Sequence, residues 1–202
     1  MKPYKLFLLS FIWILSASFT PVNTDLTTTK KTFYFSTDKQ QLETLIRKMY
    51  EWIETKNLVS DFDAVENKKG TKYIGLNLAA HNKKLDQLKK SSFFSKQFLD
   101  NYSKIASTID ANLKNKKMEW LVGDLPPFGE DTNPWCSCQD YPDAYWKTMV
   151  INNLKIDKNN AGFNWSWSAK DNFTYKVKAV KENGIWKIAY LEGFDFESYT
   201  RF

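Results

Sequence analysis

The sequence has one histidine, His81, and two cysteines, Cys136 and Cys138, among 202 residues. A single imidazole excludes metal sites built on several histidines, and any Cys-His or Ser-His nucleophile would depend on that one residue. His81 lies in the polar run Ala80-His81-Asn82-Lys83 and is expected to face water. No glycine-rich phosphate loop, Gly-x-Ser-x-Gly elbow or paired-histidine metal helix occurs, so nucleotide, serine-hydrolase and zinc-protease chemistries lack their motifs. Seven glycines and six prolines without an internal period argue against a repeat or low-complexity protein. Long apolar runs are also missing. Leu6–Ile14 is the strongest, and serine and threonine interrupt it too soon for a membrane span.

What remains is a chain 43% hydrophobic and 16% aromatic, enough for one sizeable core. Met1-Lys2-Pro3-Tyr4-Lys5 is a basic lead into the apolar run, and Ser16-Ala17-Ser18 offers small residues for cleavage. Residues 1–18 therefore read as a signal peptide, 19–32 as a flexible leader and 33–202 as a single α+β domain. A retained anchor is the alternative. No cysteine lies near the cleavage region, which disfavours a lipid anchor, so the protein is expected to be exported, periplasmic or extracellular. Loss of Lys2 and Lys5 brings the formal charge from +6 to about +4.

Periodicity gives the architecture. Apolar residues recur at every second position at Phe163, Trp165 and Trp167, at Phe173, Tyr175, Val177 and Ala179, and at Trp186, Ile188 and Tyr190. Residues Met149 to Leu154 alternate before them. The spacing predicts a four-strand antiparallel meander over Lys147–Gly193, with turns at 157–162, at 168–172 and at Asn183-Gly184, which suits a type I′ hairpin. Upstream, Leu42, Leu45, Ile46, Met49, Tyr50 and Ile53 form one helical stripe, and Thr37 with Gln40 has capping-box spacing. Residues 61–71 read as a loop. Ile74, Leu76 and Leu78 fit either a short strand or the approach to a helical turn at Leu85 and Leu88. A further helix over about 93–114 carries Phe94, Phe98, Tyr102, Ile105, Ile109 and Leu113 on one side. Helices on one face of a curved antiparallel sheet of at least four strands make an α+β fold.

Residues 119–146 contain no lysine or arginine, yet hold Glu119, Asp124, Glu130, Asp131, Asp140 and Asp143. Four of the six prolines and three of the eight tryptophans are here as well, so the stretch reads as an ordered acidic loop. Within it, Asp131-Thr132-Asn133-Pro134-Trp135-Cys136-Ser137-Cys138-Gln139-Asp140-Tyr141-Pro142-Asp143 is followed by Tyr145-Trp146 and, later, by Gly184-Ile185-Trp186-Lys187-Ile188. These segments resemble a family of small exported bacterial proteins of unknown function with the nuclear transport factor 2-like fold. There the Gln-Asp pair, here Gln139 and Asp140, recurs on the loop before the sheet. The resemblance covers most of 33–192. It implies a cone-shaped α+β domain with a pocket between helices and sheet, and it brings no established catalytic residue.

Each candidate site has a plain alternative. In an exported chain Cys136 and Cys138 are expected to be bonded, although free or intermolecular thiols and a thiolate metal site stand beside that reading. A bridge across one residue closes a very short loop and would add little stability. Asp124, Glu130 and Asp131, with Asp140 and Asp143, are the oxygen ligands available for a cation such as calcium. Their spacing matches no regular calcium loop, so no metal and no cofactor is expected. Gln139 and Asp140 are expected to organise the loop, with Asp140 accepting backbone N–H bonds. The aromatic rows are core or a sugar-gripping platform. Scattered lysines and export argue against nucleic acid. The reading is a non-catalytic exported protein that binds a protein or small ligand through Trp135, Gln139, Asp140, Tyr141, Asp143 and Trp146 and the mouth of the cone. The alternatives are a pocket enzyme of isomerase, dehydratase or hydrolase type using Asp140 as general acid or base, and an immunity-type inhibitor of a secreted toxin.

Overall fold

The computed structural model describes residues 37–56, 58, 60–129 and 132–200. The expected signal segment and leader lie outside them, as do Glu130 and Asp131 of the acidic loop. Helix α1, Asp38–Thr55, begins where its capping box demands. The Gln40 amide donates to the Thr37 hydroxyl, and the Thr37 amide donates back to the Gln40 side chain. Its stripe buries Leu42, Ile46, Met49 and Tyr50. The chain then forms a small antiparallel pair, β1 (Ala64–Glu66) and β2 (Tyr73–Leu76), so the segment 61–71 is not loop throughout.

Helix α2, Leu78–Ser91, follows at once, so Ile74–Leu88 holds both a strand and a helix. This helix buries His81, Lys84 and Leu88, residues three and four apart. The expectation that His81 faces water is thus corrected. Two polar residues of α2, His81 and Lys84, turn inward together with Leu88. Helix α3, Lys96–Lys114, is capped by Ser95 and buries Phe98, Tyr102, Ile105, Ile109 and Leu113. Residues 93–95, expected to be helical, instead lie alongside the sheet. The Ser95 amide donates to the Ile188 carbonyl at 2.9 Å, and the Ile188 amide to Phe93 at 2.8 Å. That parallel bridge covers the edge of the last strand.

The meander is present as an antiparallel sheet of four strands in sequence order: β3 (Val150–Asp157), β4 (Asn160–Ser166), β5 (Tyr175–Glu182) and β6 (Ile185–Leu191). Lys158 and Asn159 alone make the first turn, tighter than the expected 157–162, and Trp167 and Phe173 fall just outside β4 and β5. Asn183 and Gly184 both have positive φ, 52° and 79°, as a type I′ turn requires. One face of the sheet presents Phe163, Trp165, Tyr175, Val177, Trp186, Ile188 and Leu191 to the helices, and these residues share one core with the stripes of α1 and α3. Two polar contacts fix α1 across the sheet ends. Arg47 donates to the Lys147 and Met149 carbonyls at 2.9 and 2.7 Å, and Asp38 accepts the Trp186 indole and pairs with Lys181. Among the described residues, no helix is long and apolar enough to cross a membrane.

Candidate functional site

Among its described residues, the acidic loop is fixed to the domain by its backbone and its aromatic rings. Asn133 starts a tight turn, accepting the Trp135 amide on its side chain and the Cys136 and Ser137 amides on its carbonyl. The Cys136 and Cys138 sulfurs, at disulfide bonding distance, close that turn. Two buried tyrosines then clamp the loop from opposite layers. Tyr50 of α1 donates to the Trp135 carbonyl at 2.6 Å while accepting the Trp165 indole at 3.1 Å. Tyr175 of β5 donates to the Pro134 carbonyl at 2.7 Å while accepting the Gly193 amide at 2.9 Å. Burial pushes both phenols far above their ordinary pKa, so each remains a neutral donor. Gly193 has to be glycine: a β-carbon there would collide with the Pro134 backbone.

Trp135 carries the loop into the core. Only 5% exposed, it meets the rings of Phe94, Phe98 and Phe194. Farther along, Tyr141 and Tyr145 donate to the two oxygens of Glu54 on α1, at 3.2 and 2.8 Å. Trp146 is partly buried against Tyr145. The expected binding residues therefore divide. Trp135 faces inward, Trp146 is half-covered, and Gln139, Asp140, Tyr141 and Asp143 remain exposed. No hydrogen bond with another described residue ends on the Asp140 carboxylate, and the turn expected to rely on it is organised by Asn133 instead. Asp124 is exposed too, and among the described residues no group of three or more His, Cys, Asp or Glu side chains is placed to hold a metal ion.

A groove of about 580 Å³ opens beside the pinned loop. Gly129, Thr132, Pro134 and Ser137 form one wall, and Glu192, Asp195, Glu197 and Ser198 from the short turns after β6 form the other. The Gly129 amide donates to the Ser198 carbonyl at 3.2 Å and holds the two walls at fixed distance. Tyr190 lies in the groove with its hydroxyl pKa pushed up to about 12, first by burial and then by the nearby Asp195 and Glu192 carboxylates. The groove is thus acidic on the side away from the loop. Glu192 also pairs with Lys176 at 3.9 Å, so part of this acidic wall is compensated.

Sequence reasoning missed a second polar centre, built on Asp61. Its Oδ1 accepts the Tyr102 hydroxyl at 2.5 Å and faces the Lys84 ammonium at 3.5 Å, and its Oδ2 accepts the Trp135 indole at 2.7 Å. Lys84 is 3% exposed and lies over the Trp135 ring. His81 lies nearly parallel to the rings of Phe62 and Tyr102, with its Nδ1 buried and without a hydrogen-bond partner among the described residues. Burial lowers the His81 pKa and the Asp61 charge opposes it, leaving a neutral imidazole at pH 7. The available signal was the spacing His81, Lys84, Leu88, a helical stripe written in polar residues. Compared with family models, with curated proteins and with solved structures, the chain matches none.

Proposed function

We propose that this is a non-catalytic binding protein, exported from the cell, that engages a partner with a basic surface through the acidic loop and the adjoining groove. The observation that carries the reading is the double duty of loop 119–146. It is pinned at Trp135 and Pro134 and forms one wall of a groove of about 580 Å³, while Gln139, Asp140, Tyr141 and Asp143 stay in solvent. Pre-organised loops lose little entropy on binding, and exposed carboxylates attract cationic partners at long range. Helices packed on one face of an antiparallel sheet support kinship with the nuclear transport factor 2-like family. The bonded cysteines, with the basic and apolar start of the chain, support export. Asp140 is exposed and lines none of the four described cavities, which gives general acid or base work by that residue no support. An immunity-type role is the special case in which the basic partner is a toxin.

The groove is tested by filling it. Thr174, exposed and on its lining, becomes Trp in a variant that leaves the loop charges untouched. Affinity capture from envelope extract is expected to recover a partner with the wild type and to lose it with Thr174→Trp. Equal recovery with both would remove the groove from the account.

A further inference from the structure

We infer that the cleft over Asp61 is a binding site for a small neutral molecule that joins an aromatic or aliphatic body to a hydroxyl group. The cleft holds about 230 Å³ and is walled by Phe62, Leu125, Pro126, Phe128 and Tyr199, with Asp61 as the charged group among its described lining residues. For scale, a cavity of about 150 Å³ accommodates benzene, so a single substituted ring fits.

The chemistry of the occupant follows from what Asp61 already does. A carboxylate has about four acceptor positions, and here Tyr102, Lys84 and Trp135 use three. The Asp61 side chain keeps 15% of its surface exposed, and it lines the cleft, so one acceptor position is open to a ligand. An anion is repelled by the carboxylate. An ammonium would surrender its hydration for a charge that Lys84 already balances, a poor exchange in a dry setting. A neutral hydroxyl gives up the least and still gains a charge-assisted hydrogen bond. Behind the carboxylate, His81 is stacked on Phe62 and Tyr102, with its Nδ1 buried.

Stability alone does not explain the cluster. Replacing a buried ion pair by well-packed apolar residues is often neutral or favourable, so a charged centre opening on an apolar cleft has the character of a recognition site. The cleft shares Gly129, Thr132, Pro134 and Tyr199 with the acidic groove, but Asp61, Phe62, Leu125, Pro126 and Phe128, which set its chemistry, line the cleft alone.

The test uses 4-fluorophenol, 4-fluorotoluene and 4-fluorobenzoate, followed by fluorine NMR on the intact protein through the millimolar range expected of ring-sized ligands. The phenol is expected to bind, the toluene about tenfold more weakly for want of one hydrogen bond, and the benzoate not at all. Leu125 is 69% exposed, so Leu125→Glu leaves the core intact and is expected to abolish phenol binding. Asp61→Asn is expected to erase the preference for phenol over toluene. Should that variant not fold, the wild-type ligand series and Leu125→Glu decide alone. Equal binding of phenol and toluene to the wild type, no binding of either, or undiminished phenol binding by Leu125→Glu would overturn the inference.

Discussion

Tyr50 shows how a single hydroxyl can hold two layers together. It accepts a hydrogen bond from the Trp165 indole in the sheet and donates one to the Trp135 carbonyl in the loop. Tyr50→Phe strands a buried N–H and a buried C=O, and is expected to cost about 2 kcal/mol in urea unfolding, within the usual penalty for unpaired buried groups. Gly193→Ala drives a methyl group into the Pro134 backbone and is expected to lower stability by about 1–3 kcal/mol, read from the same unfolding midpoint. His81 makes stability depend on pH. Its folded pKa lies below the ordinary 6.5, so the unfolded chain binds the proton more readily. Its contribution is therefore complete above pH 6.5 and declines as the pH falls through the window beneath it. Melting temperatures at pH 7.5 and 5.5 are expected to differ more in the wild type than in His81→Phe, which carries no titrating group.

At the scale of elements, α1, α3 and the meander were legible because each spends apolar residues on one face at the period of its own geometry. Helix α2 was not, since its inward positions are His81, Lys84 and Leu88, and hydropathy assigns the first two to solvent. The pair β1–β2 is three and four residues long, too short for a period to show. The Asp61 centre was illegible for a different reason. Its members come from the segment before β1, from α2, from α3 and from the acidic loop, and only folding brings them together. The loop itself was recognisable as ordered from its prolines and tryptophans, but Trp135 proved to be its anchor in the core. The cysteines close a turn that Asn133, Tyr50 and Tyr175 already hold. Reduction is accordingly expected to shift the thermal midpoint by no more than about 3 °C, checked by melting with and without dithiothreitol, whereas Trp135→Ala is expected to cost about 3–5 kcal/mol.

Across the whole molecule the dominant feature is separation of charge. Residues 119–146 contain six carboxylates and no lysine or arginine, in a chain whose formal charge is +6. The outward face of the sheet carries Lys155, Lys176 and Lys178, so the acidity of the loop is not repeated there. On the proposed reading such a surface would steer a basic partner to one place, and steering of this kind is salt-dependent. The most direct measurement is quantitative affinity capture from envelope extract with the wild type and with a variant combining Asp131→Asn, Asp140→Asn and Asp143→Asn, at low salt and at about 1 M salt, where the screening length is about 3 Å. The account predicts a basic partner held by the wild type at low salt and released both by the triple substitution and by high salt. Identical partner lists from the two proteins would contradict it.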